Sequence, residues 1–171
     1  EPLSSLIAKA PKARAAVVDL AGETSWWAAL AQGGSKVFAD IGFDETGRWD
    51  KGDLAPLVHC HAFTPNAVEA MAYARTDSPD RAVRALAELV PLAVVTDGEA
   101  GSYAIDGSTG EEAYCPAVPV TAMDTTGAGD CFMAAHMVAE RAGGRGIVLG
   151  WPHPVTGEFP VQVNPTLLVL D

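Results

Sequence analysis

The sequence predicts an α/β fold with a mainly parallel sheet. Three observations carry this prediction. Short apolar runs alternate with segments of helical spacing, capping residues open the helical segments, and polar residues stand where the apolar runs end. Strands alternating with helices build βαβ units, whose crossovers keep neighbouring strands parallel. In such sheets ligands collect beyond the carboxyl ends of the strands. Asp40, Asn66, Thr96 and Asp124 fall at such ends.

Residues 15–19, AAVVD, form a short apolar run ending in an acid, the first strand. SWWAALAQ, 25–32, is helical, and Gly33-Gly34 stops it. KVFADI, 36–41, is the second strand, and PLVHCHAF, 56–63, reads as the third. Asn66, preceded by Pro65, opens a helix through AVEAMAYA. Residues 77–90, DSPDRAVRALAELV, begin with capping signals and keep Val83, Leu86, Ala87 and Val90 at helical spacing. LAVVT, 92–96, is a buried-type strand. GSYAID and EEAYCPA form a hairpin across Gly107 to Gly110, and 127–142 is the last helix. The tail, 143–171, holds several prolines, two short β-like runs and a Thr156-Gly157 turn signal, and takes no assigned place in the sheet.

The chain has 171 residues, enough for one domain with a sizeable core, and 49% of them are apolar. Its net charge of -11 opposes nucleic acid and anionic membrane, and no basic run offsets it. No apolar run is long enough to span a membrane, and no signal peptide opens the chain. Cys60, Cys115 and Cys131 lack CxxC spacing, which points to free thiols in a reducing cytoplasm. The chain begins Glu-Pro-Leu rather than Met, so a fragment or a processed start is expected.

The most informative stretch is DTTGAGDCF, 124–132. The first turn of a helix carries N–H groups without intrahelical partners, and the helix dipole adds positive potential there. Gly127, Ala128 and Gly129 therefore make an anion cradle from backbone donors, which suits an acidic protein. Asp130 stands beside that cradle, placed to take a proton from a hydroxyl attacking a phosphoryl group. The plainer reading is an acid favoured at a helix start behind a glycine turn. Asn66 and Glu69, at i and i+3, can face one side and hold a hydrated Mg²⁺ through water. Here too there is a plainer reading, an Asn cap with an acid at N3.

The longer string tips both choices. DTTGAGDCF, with CPAVPVTAM before it, resembles the C-terminal signature of the ribokinase/PfkB family of carbohydrate and nucleoside kinases. TPNAVEA at 64–70 resembles the family's Pro-Asn-x-x-Glu segment, and TDGEAGSYAI at 96–105 its Thr-x-Gly-x-x-Gly strand and turn. FADIGFDETGRWD, 38–50, resembles the strand carrying an Asp and then an Arg-Trp pair in sugar-kinase members. These four elements stand in the family's order over about residues 15–142.

The resemblance implies a ribokinase-like three-layer sandwich and transfer of the γ-phosphate of ATP to a sugar hydroxyl, with Mg²⁺ and often K⁺. It implies Asp130 as catalytic base and Gly127, Ala128 and Gly129 as the anion hole. Asn66 and Glu69 would organise magnesium, water and phosphate, and Thr96, Gly98 and Gly101 would form the nucleotide-side strand and turn. Asp124 and Thr126 would lie near a K⁺ loop and the phosphates. The expected division is a kinase unit over 1–142 and a divergent tail over 143–171. Family members run to about twice this length, so the N-terminal half with its β lid is expected to be absent and the chain alone to transfer little. A homodimer is expected only where that lid half is present. No GxxxxGK[ST] P-loop occurs, and Asp97 is an unusual acid inside the nucleotide turn. His59-Cys60-His61 imitates a metal cluster without a partner pair and reads as a strand end. Two other readings stay open, a non-catalytic nucleotide- or anion-binding module and a flavodoxin-like domain with a phosphate at the Gly-Ala-Gly turn.

Overall fold

The computed structural model describes residues 5, 13–117, 119 and 125–141. Its elements run β1 (Ala15–Asp19), α1 (Trp27–Gln32), β2 (Lys36–Asp40), a 3₁₀ helix (Lys51–His59), β3 (Ala62–Phe63), α2 (Ala67–Ala74) and α3 (Pro79–Leu86). They continue as β4 (Leu92–Thr96), a short 3₁₀ turn (Gly98–Ala100), β5 (Ser102–Asp106), β6 (Glu112–Cys115) and α4 (Ala128–Arg141). The six strands lie side by side in chain order. β1 to β4 pair in parallel, and the β5–β6 hairpin is antiparallel to them.

Alternation along the strands builds two cores. Val18, Val37, Ala39, Ala93, Val95 and Ile105 pack with Trp27, Leu57, Tyr73, Val83 and Leu86 on one face. Phe38, Ala62, Leu92, Val94 and Ala104 pack with Phe132 and Met133 of α4 on the other. Successive strand residues point to opposite faces, so this split gives three layers, with α4 alone on its side among the described helices. The mostly parallel α/β sandwich expected from the sequence is therefore present.

The third strand is the principal correction. Residues 56–63 were expected to form a strand, yet only Ala62 and Phe63 do. The Asp50 carboxylate accepts from the Gly52 N–H at 2.8 Å and starts a 3₁₀ helix instead. Leu54 and Leu57 are both buried at a spacing of three, the repeat of that helix, while Val58 is 75% exposed. His59 thus ends a helix, buried Cys60 is its cap, and His61 packs against Phe38, so no shared strand face forms. Burial pushes the Cys60 thiol up to about 12, and no metal-binding group occurs among the described residues.

α3 is also shorter than the 77–90 pattern, ending at Leu86 in a turn that still buries Val90. The hairpin turn closes over that end. The Gly107 N–H donates to the Pro91 carbonyl at 2.8 Å, and a β-carbon on Gly107 would meet the Ala87 carbonyl at 2.2 Å. The 143–171 tail lies outside the described residues.

Candidate functional site

Four parallel strands put their carboxyl ends along one edge of the sheet, and the chain places polar groups there in sequence. Asp19 and Asp40 are register partners at the ends of β1 and β2. Beyond β3, the Thr64 N–H donates to the Ala39 carbonyl at 3.0 Å and keeps the ladder going. Asn66 then bridges to Thr96 at the end of β4, with the Thr96 N–H donating to the Pro65 carbonyl at 3.2 Å. Two motifs separated by thirty residues of sequence are thereby held side by side.

α2 starts at this edge through a reciprocal cap. The Glu69 N–H donates to Asn66 Oδ1 at 3.0 Å, and the Asn66 N–H donates to Glu69 Oε2 at 2.9 Å. The plain capping reading is thus realised, and it decides which atoms remain for a ligand. Asn66 Oδ1 and Glu69 Oε2 are committed to the cap and the Asn66 side chain also bonds the Glu69 carboxylate, so a ligand would share the Asn66 amide donors and the second Glu69 oxygen. A donor suits a phosphate oxygen rather than a cation, whereas the carboxylate oxygen suits the water shell of an ion.

α4 approaches the same edge from the other face. Its entry turn carries exposed Thr126 and then Gly127 at φ 75°, a left-handed conformation that glycine adopts without strain. The Ala128 N–H donates to the Thr125 carbonyl at 3.1 Å, and the Cys131 N–H closes the first helical bond to Gly127 at 3.0 Å. A bound anion would therefore share or replace the Ala128 bond. Asp130 is exposed in the first turn, and its Oδ2 lies 3.8 Å from where a Gly127 β-carbon would stand. Asp40 Oδ2 lies 4.0 Å from the corresponding point on Gly129. The mouth of α4 and the end of β2 thus face one another. Asp124 lies outside the described residues.

On the β4 side, Thr96 leads into a tight turn. Gly98 has φ 51° and Gly101 φ 106°, and the Asp97 N–H donates to the Gly101 carbonyl at 2.8 Å. Gly101 backs directly onto the 115–117 backbone, which leads on toward the entry turn of α4. Asp97 is half-buried rather than turned fully to solvent.

The carboxylates perturb one another. Burial pushes Asp40 up to about 6, with the Ile41 backbone bond opposing and the charges of Asp130 and Asp19 adding. Burial likewise raises Glu69 to about 6, against the Asn66 backbone bond and with help from the Asp40 charge. Each therefore holds its proton in the native state well above its ordinary value of 3.8 or 4.5. Native protein binds more protons at these two groups than unfolded protein across that interval, so their contribution to stability is full below about pH 4 and is lost as pH rises through about 6. Each group contributes a loss on the order of 2 kcal/mol. The urea midpoint of the ligand-free protein should accordingly drop between pH 4.5 and 7.5, with a smaller drop in Asp40→Asn. A midpoint constant or rising over that range would contradict the buried acids.

Like charges gathered at one edge fit a divalent cation, which would relieve their repulsion. No three such side chains come close enough to ligate an ion directly among the described residues. The residues therefore fit a hydrated ion, the form in which magnesium prefers to bind. Sequence reasoning singled out Asn66, Glu69, Thr96 and Asp130, and noted Asp40 as a strand end. It gave no site role to Asp19, noted only as the acid ending the first strand, or to Thr64, noted only as the first residue of TPNAVEA; strand register is what brings both to this edge.

A sequence profile described as pfkB family carbohydrate kinase matches residues 16–145. Among solved structures, an adenosine kinase from Sinorhizobium meliloti superposes with a TM-score of 0.66 at 21% identity, over 81% of this chain and 45% of that one. An Escherichia coli protein described as a ribokinase II, in complex with ATP and Mg²⁺, gives 0.63 at 18% identity, over 82% and 48%. An Arabidopsis thaliana ribokinase complexed with ribose and ATP gives 0.61 at 23% identity, over 77% and 44%. At these identities the likeness concerns the fold. The chain spans about half the length of these structures. No curated protein matches it.

Proposed function

The chain belongs to the pfkB family of carbohydrate kinases, and from that membership we propose that it carries the phosphoryl-transfer half of an ATP-dependent sugar kinase. The observation that carries this reading is the convergence of the α4 mouth, with Asp130, on the strand edge that holds Asp40, Asn66, Glu69 and Thr96. Asp130 acts as general base. Its carboxylate takes the proton of an acceptor hydroxyl as the new O–P bond forms and the bond from the γ-phosphorus to its bridging oxygen breaks, releasing ADP. Backbone N–H groups of residues 127–129 hold the migrating phosphoryl oxygens, the kind of donor worth on the order of 2.7–4 kcal/mol in an oxyanion hole. Glu69 and Asn66 organise the hydrated Mg²⁺ and phosphate, and Thr96, Gly98, Gly101 and Thr126 lie along the nucleotide. Bound Mg²⁺ would neutralise phosphate charge. Asp124 belongs to a K⁺ position in this reading.

The acceptor is a small sugar, and the kinase unit is residues 1–142, close to the limit of the family match at 145. The 171-residue chain by itself is expected to bind Mg·ATP but to transfer phosphate slowly, because it spans about half of its solved relatives. Calorimetry with Mg·ATP, followed by ADP release over a panel of sugars, tests both parts. Absence of Mg·ATP binding would refute the reading. Binding without sugar-dependent turnover, even in the whole gene product that carries this segment, would instead favour a non-catalytic nucleotide-binding module.

A further inference from the structure

Among the described residues, one side chain at the carboxyl edge is left without a partner. Thr64 is only 6% exposed, and its Oγ1 makes no hydrogen bond among the described residues. A buried hydroxyl left unbonded is destabilising, a cost that valine of nearly the same shape would avoid. Its position shows where a partner would come from. The Thr64 N–H donates to the Ala39 carbonyl at 3.0 Å, so Thr64 stands beside Asp40 on the neighbouring strand. Alternation with Ala62, which packs in the α4 core, puts the Thr64 side chain on the face that α4 covers. That is the face on which Asp40 Oδ2 comes within 4.0 Å of the Gly129 β-carbon position. Asn66 and Glu69 follow two and five residues later.

We propose that Thr64 is a ligand-contact residue whose hydroxyl bonds an oxygen of the Mg·nucleotide complex, either an ion-bound water or a phosphate oxygen. The inference rests on the kinase reading above and adds a contact to it. The chemistry of the neighbours favours it. Asp19, Asp40, Glu69 and Asp130 are acceptors when ionised and repel a bare phosphate oxygen. A hydroxyl among them can donate to that oxygen, and it can equally accept from a water held on the ion. The unmade bond in the ligand-free protein is then an interaction completed on binding.

Thr64→Val and Thr64→Ser in the full chain test this, with two readouts that do not depend on turnover. The ligand-free melting temperature of Thr64→Val should equal or exceed that of the wild type. Its affinity for Mn²⁺ with a non-hydrolysable ATP analogue, measured by calorimetry, should fall roughly tenfold. Thr64→Ser should recover that affinity to within about threefold of wild type. Titration with Mn²⁺ alone, followed by electron paramagnetic resonance, separates the two oxygen sources. Loss there too assigns the hydroxyl to an ion-bound water, and loss only with the nucleotide assigns it to phosphate. A ligand-free Thr64→Val protein that melts several degrees lower would mean the hydroxyl is already bonded, and would overturn the proposal. So would Thr64→Val binding the Mn²⁺–nucleotide pair as tightly as wild type, which leaves the kinase reading standing. Failure of the wild type itself to bind that pair removes both.

Discussion

Asp130→Asn, made in the gene product that carries this segment, is expected to lower turnover roughly 10²–10⁴-fold while Mg·ATP affinity stays within about threefold. The amide keeps the size of the carboxylate and still fits the first turn of α4, where the side chain is exposed. It removes only the capacity to accept a proton and the negative charge. The charge has a second, separable readout. Asp130 is one of the charges that raise Asp40, so the variant should let Asp40 release its proton at lower pH. A lowered Asp40 value, followed by its carbon chemical shift, would show that the two carboxylates sense each other as the geometry requires. Near-normal turnover in the same protein would remove Asp130 from the role of base.

The candidate base Asp130 was legible because it lies in a contiguous string. Gly127, Ala128, Gly129 and Asp130 are consecutive, and local rules for helix N-termini read them without tertiary information. Asn66 and Glu69 were legible for the same reason, and their reciprocal cap uses the same atoms that the proposed ligand site would need. Residues brought in by sheet register are different. Asp19 lies 21 residues from Asp40 in sequence, and only the parallel pairing of β1 with β2 puts them side by side. Thr64 sits in a segment whose strand character ends after two residues, so no period-two pattern was long enough to place its side chain.

The fold divides along the same line. The strands 15–19, 36–40 and 92–96 and the 102–115 hairpin follow from continuous apolar or alternating runs with clear stops. Residues 56–63 misled because Pro56, Leu57, Val58 and Phe63 read as one apolar run. The competing signals were the Asp50 cap, upstream of the run, and the spacing of three between Leu54 and Leu57, which begins before it. For the 77–90 helix, the apolar spacing continued past the point where the hairpin turn packs onto the helix end. Local periodicity reported burial correctly at Val90 but not conformation.

Gly101→Ala is expected to be the most damaging small substitution in the turn proposed to line the nucleotide, and comparison with Gly98→Ala isolates the reason. Both glycines have positive φ, 51° at Gly98 and 106° at Gly101. A β-carbon on Gly98 meets nothing within 4 Å, so its cost is the left-handed conformation alone, about 1–2 kcal/mol. A β-carbon on Gly101 would stand 2.1 Å from the Cys115 carbonyl oxygen and 3.0 Å from the Ala117 nitrogen. Both are backbone atoms, the first in a paired strand since Cys115 is the register partner of Ser102, and they cannot rotate away as a side chain could. The hairpin must open or the turn must shift, in addition to strain in a region of backbone space reserved for glycine. A combined loss of about 3 kcal/mol or more follows, a fall in melting temperature on the order of 10 °C for a chain of this size. The displaced turn also carries Thr96 and Gly98, so Mg·ATP affinity should fall with stability in Gly101→Ala, whereas Gly98→Ala should lose only the smaller share of stability and keep its affinity. Equal melting temperatures for the two variants would mean that the 115–117 backbone is not packed against this turn. The coupling between the nucleotide turn and the segment leading to Asp130 would then have to be abandoned.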